Sequence, residues 1–82
     1  MLKSELKPLA KSGITVGQLA RAAAVNVETV RYYQRIGLLP LPSRNYGSVR
    51  RYWADDQKRI RFIQRTRKLG FSLDEVALLF GL

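Results

Sequence analysis

Apolar and polar positions along the chain change period four times, and each change marks an element. From Ile14 onward Val16, Leu19, Ala20 and Ala23 follow helical spacing, with Thr15 or Gly17 as the N-cap, which predicts a short first helix ending near Ala23. Asn26 offers a second N-cap. Val27, Val30 and Tyr33 or Gln34 then share one face up to Gly37, a C-cap glycine, so two helices joined by about three residues are predicted over roughly 17–36 as a helix-turn-helix. Pro40 and Pro42 forbid a continuing helix, and Asn45, Tyr46 and Gly47 supply turn chemistry between two short extended runs. This predicts a β-hairpin wing over about 38–52, with Val49 and Arg51 on one side of its returning strand and Arg50 and Tyr52 on the other.

The third and longest helix is predicted over about 54–69, opened by Asp55 and Asp56 at its electropositive end and stopped by Gly70. Phe62, Ile63, Thr66 and Leu69 are assigned to its inner face, and Lys58, Arg61, Arg65 and Lys68 to a basic outer stripe. Ser72 with Glu75 forms a capping box for a fourth helix over about 73–81, and Phe71 is placed to staple against Val76. Residues 1–13 show no sustained period and read as a loose basic arm. The expected fold class is mainly α: a winged helix-turn-helix of about four helices with a small two-stranded wing.

Composition narrows the function. Eighty-two residues hold one core, and 15 Lys and Arg against six Asp and Glu leave a net charge of +9, which calls for a polyanionic partner. No run approaches the length needed to span a bilayer, and residues 1–13 lack the apolar stretch of a secretory signal, so a cytoplasmic location without membrane partners is expected. With no Cys and no His, the usual zinc, iron-sulfur and thiol chemistry has no ligands, and the commonest general base is missing. Neither an enzyme nor a cofactor is expected of this chain.

The second predicted helix presents Asn26, Glu28, Thr29, Arg31, Tyr32 and Arg35 away from its core side, and such a helix fits the major groove. Arg31 can fork onto a guanine edge or a phosphate, Tyr32 can reach a phosphate through its hydroxyl, Val27 or Thr29 can touch a thymine methyl, and Arg35 is a further candidate contact. On the wing, Arg44, Tyr46, Ser48, Arg50 and Arg51 are candidate contacts to the backbone or the adjacent minor groove. Arg59 either lies over a phosphate or covers apolar surface with its stem. Tyr52 and Trp53 are read as packing aromatics joining wing to helix.

The segments Thr15–Ala20, Val25–Leu39, Tyr46–Tyr52 and Leu69–Val76, in this order and spacing, resemble the MerR family, and within it the mercuric-resistance regulators most. The resemblance covers residues 14 to about 80. It implies a bacterial regulator that binds an inverted repeat in promoter DNA as a dimer and represses, or activates by distorting that DNA for RNA polymerase. It also implies DNA contacts at Arg31, Tyr32 and Arg50. Ala24 stands where such a turn usually has glycine, and Trp53 where the family usually has a small capping residue. The family's dimerising helix and effector site, cysteines for Hg2+ in the mercury sensors, follow the fourth helix and are expected in a longer parent, so the chain alone is expected to be a monomer. Two other readings remain open at this stage. One is an excisionase-like accessory protein of the same fold. The other is a protein-interaction module docking through Leu78, Leu79, Phe80 and Leu82.

Overall fold

In a computed structural model the described residues are 13–42 and 50–82, so residues 1–12 of the expected arm and 43–49 of the expected wing, with Arg44, Tyr46 and Ser48, lie outside them. Four helices follow in order: α1 (Val16–Ala22), α2 (Val27–Arg35), α3 (Ala54–Lys68) and α4 (Leu73–Leu79). Each begins where a side chain can satisfy backbone donors that a first turn leaves free. Thr15 and Gln18 exchange reciprocal bonds of 3.2 and 2.9 Å at α1, and Ser72 and Glu75 do the same at 3.1 and 2.9 Å at α4. Asn26 Oδ1 accepts from the Thr29 amide at 2.9 Å at the start of α2. Trp53 precedes α3, and an indole has no acceptor to offer. Only the reverse bond forms there, from the Trp53 amide to Asp56 Oδ2 at 2.8 Å.

All four helices stop in the same way. The second residue past each C-cap donates five residues back, Val25 to Ala20, Leu38 to Tyr33, Phe71 to Thr66 and Leu82 to Ala77, and the residue between them takes a positive φ. Three of these hinge residues are Gly37, Gly70 and Gly81, whereas the turn between α1 and α2 uses Ala24 at φ 62°. The expected strain at this alanine is present, and the turn accepts it without changing its hydrogen bonds.

The core gathers Leu19 and Ala20 of α1, Val30 and Tyr33 of α2, Ile60 and Ile63 of α3, and Val76 of α4, closed by Ile14, Leu38, Leu39 and Tyr52. The inner face of α3 differs from the expected one. Ile60, Ile63 and Thr66 are buried, Phe62 is half-buried against Phe80 with ring centroids 5.4 Å apart, and Leu69 is 77% exposed. The two sets of apolar positions overlap on the helix, and the core takes the one that begins a turn earlier, leaving Leu69 as the exposed C-cap.

Among the described residues there is no extended strand pairing across a hairpin. The one β-bridge joins Ile14 to Tyr52, antiparallel, with bonds of 3.0 and 2.8 Å. It seats Gly13, assigned from sequence to the end of the arm, in a buried position at φ +82°, where a Cβ would lie 2.9 Å from Arg51 Cβ, 3.0 Å from the Tyr52 carbonyl and 3.1 Å from the Trp53 ring.

Two substitutions test these backbone constraints by thermal melting. Ala24→Gly should stabilise the domain by about 0.5–1 kcal/mol and raise Tm by about 2–8 °C, the relief of a left-handed alanine outweighing the added freedom of the unfolded chain. An unchanged or lower Tm would count against the strain. Gly13→Ala should destabilise by about 1–3 kcal/mol, since steric crowding and a positive φ act together.

Candidate nucleic-acid interface

Burial of Val30 and Tyr33 fixes the orientation of α2, and everything on its other side follows from that. Arg31, Tyr32 and Arg35 are exposed, and the Arg35 guanidinium lies 5.5 Å from the Tyr32 ring centroid. A guanidinium held on an aromatic face keeps its in-plane N–H groups free for a planar or anionic acceptor. Thr29 is half-buried, and its hydroxyl donates to Asn26 Oδ1 at 3.0 Å. Val27 is half-buried against the core.

Tyr33 anchors the helix from beneath. Its hydroxyl donates to Gln64 Oε1 of α3 at 2.7 Å, and burial pushes its phenol above the ordinary tyrosine range, while the positive charge of Arg67 pulls the other way. Arg67 is the residue that sequence reasoning missed. It lines a shallow concavity with Asn26, Thr29, Tyr32 and Arg35, so a cation from α3 joins the exposed side of α2. The signal was available in the sequence: Arg67 follows Ile60 by seven and Ile63 by four, in phase with the buried face at the point where the core ends. The stripe of Lys58, Arg61, Arg65 and Lys68 is exposed as expected.

On either side of residues 43–49, side chains bond to the described backbone. Arg50 is half-buried and its Nε donates to the Pro42 carbonyl at 2.7 Å. Gln34 Nε2 donates to the Pro40 carbonyl at 3.3 Å and to the Tyr52 hydroxyl at 3.1 Å. Tyr52 is buried, Trp53 is 45% exposed, and Arg51 is exposed beside them. Arg59 is half-buried: its Nε donates to the Leu38 carbonyl at 2.7 Å and its guanidinium lies 3.9 Å from the Phe80 ring centroid.

The structure therefore brings Thr29, Arg31, Tyr32 and Arg35 onto one helix and adds Arg67. Arg50 and Arg51 sit at the base of the following segment. No group of His, Cys, Asp and Glu among the described residues could hold a metal ion, and no helix there is long and apolar enough to cross a membrane.

Residues 14–81 match the family model for MerR HTH family regulatory proteins. The mercuric resistance operon regulatory protein of Serratia marcescens is 56% identical over 69 residues, which cover 84% of this chain and 48% of that protein. The HTH-type transcriptional regulator ZntR of Escherichia coli is 36% identical over 67 residues, covering 82% and 48%. The solved transcription regulator PbrR691 of Ralstonia metallidurans, in complex with lead(II), superposes with a TM-score of 0.77 at 38% identity over 83% of this chain and 53% of its own. The chain spans about half the length of these relatives. With an outward-facing second helix and a family match that covers nearly all the described residues, the chain belongs to the MerR family of transcription regulators and comprises its helix-turn-helix DNA-binding domain.

Proposed function

We propose that this domain reads operator DNA in the promoter of a metal-resistance operon, with mercury the favoured metal, and that α2 is the helix that enters the major groove. The names of the mercuric-resistance relatives support the operon, and the exposed Arg31, Tyr32 and Arg35 support the helix. Arg31 is the base-reading residue, since a planar fork matches a guanine edge. Tyr32, Arg35 and Arg67 bind phosphates, with Thr29 and Val27 at the edge of the reading helix. Arg44, Tyr46, Ser48, Arg50 and Arg51 belong to a wing that follows the backbone beside the groove. A dimer of the full-length protein spans the inverted repeat and presents distorted promoter DNA to RNA polymerase. Deforming such a site costs on the order of 1–6 kcal/mol, which phosphate contacts offset. The domain acts in the cytoplasm, and Hg2+ is sensed by the other half of the parent.

A second reading has an observation of its own. Leu78, Leu79 and Leu82 are 71, 53 and 62% exposed, which suits contact with another polypeptide and is compatible with DNA binding.

Fluorescence anisotropy with a promoter-like duplex and a scrambled one, each at several salt concentrations, separates the contributions. Affinity should fall steeply with salt for both duplexes. Arg31→Ala should cost about 1–3 kcal/mol on the promoter-like duplex and narrow its advantage over the scrambled one. Arg67→Ala should weaken both alike and lower the salt slope by about 1. If Arg31→Ala leaves the two affinities where they were, α2 is not the reading helix.

A further inference from the structure

The segment leaving α2 is held in an unusual way. Carbonyls 38, 40 and 42 each accept a side-chain donor, from Arg59, Gln34 and Arg50 respectively. An extended strand presents alternate carbonyls along one edge, where a partner strand would normally bond them. Pro40 and Pro42 have no N–H with which to complete such a ladder. Among the described residues, side chains are what meet these three carbonyls.

Among the three donors Arg59 alone comes from α3, and its guanidinium also meets Phe80, the C-cap of α4. Its Nε bond to Leu38 meets the chain at the residue that closes the end of α2, and its guanidinium covers Phe80 at the C-cap of α4. Half-buried and engaged at both its Nε and its flat face, it is poorly placed to serve as a freely mobile phosphate contact.

We propose that Arg59 is a positioning residue, which sets the direction in which residues 38–42 leave the reading helix by tying Leu38 to the end of α4. This rests on the reading of α2 as the DNA-recognition helix. A guanidinium is needed because one group must donate sideways through Nε while its plane stacks on a ring. An ammonium would carry the same charge and could not do both.

Charge and geometry are separated by comparing Arg59→Lys with Arg59→Gln on a duplex recovered from a random library by selection with the parent chain. Both variants should bind about tenfold more weakly than the parent, with the salt slope unchanged, because a misdirected segment after α2 loses fit without Arg59 itself releasing a counterion. Phe80→Leu, which removes the ring and leaves the arginine, should give a smaller loss in the same direction. Amide signals of Leu38 and Leu39 should shift in all three. Thr15→Ala, which removes the N-cap of α1 and touches neither Leu38 nor α4 by any bond described, should lower Tm and leave the affinity unchanged at a temperature where every variant is folded. Parental affinity in Arg59→Lys, or a slope lower by about 1 in Arg59→Gln, would identify a phosphate contact and overturn the proposal. An equal loss of affinity in Thr15→Ala would overturn it too, by showing that any destabilisation suffices. If selection with the parent recovers no preferred duplex, the DNA-reading assignment fails first, and the two failures remain distinct.

Discussion

Burial of a few branched side chains from four short helices is the constraint on which the rest depends. Leu19, Val30, Ile60, Ile63 and Val76 are almost wholly removed from water, and no helix could retain its orientation without the others. At about 1.5–3 kcal/mol for each side chain buried, these five contribute on the order of 10 kcal/mol, as much as the whole net stability of a typical domain. The exposed cationic face of α2 is a by-product of that burial: once Val30 and Tyr33 point inward, helical geometry obliges Arg31, Tyr32 and Arg35 to point outward. The bond from Tyr33 to Gln64 then fixes how far α2 can roll, because a buried hydroxyl that lost its acceptor would be left unsatisfied.

Helix boundaries were largely legible in the sequence because capping is local chemistry. Asn26, Ser72 with Glu75, Gly37 and Gly70 lie next to the turns they govern, and each acts as its residue type predicts. The choice between Thr15 and Gly17 at α1 was open until the reciprocal bonds with Gln18 were seen. Positions that depend on a second element were harder. Ile60 and Phe62 both suit an inner face on periodicity alone, and only the placement of α1 and α4 decides between them. Leu69 illustrates the same limit, since an apolar residue at a helix end has no partner that the pattern can name.

The candidate site divides along similar lines. The outward residues of α2 follow from its period, whereas Arg67 reaches them from a helix more than thirty positions later in the chain. Arg59 was ambiguous because an arginine in phase with apolar neighbours suits either a ligand or a carbonyl, and the sequence cannot show that the Leu38 carbonyl lies within reach. The wing was read from prolines and turn residues, which mark where regular structure stops. They do not reveal which side chains meet the carbonyls of Leu38, Pro40 and Pro42.

The Ile14–Tyr52 bridge has a consequence for how this module could be moved. Its two hydrogen bonds bring the start of the helix pair and the end of the following segment to one point, so residues 14–52 form a closed loop with adjacent ends. A stretch whose ends already meet can be grafted between neighbouring positions of another scaffold with little cost in chain closure. The recipient would have to offer a helix that replaces Ile60, Ile63 and Gln64, because the loop carries its own closure but borrows its floor.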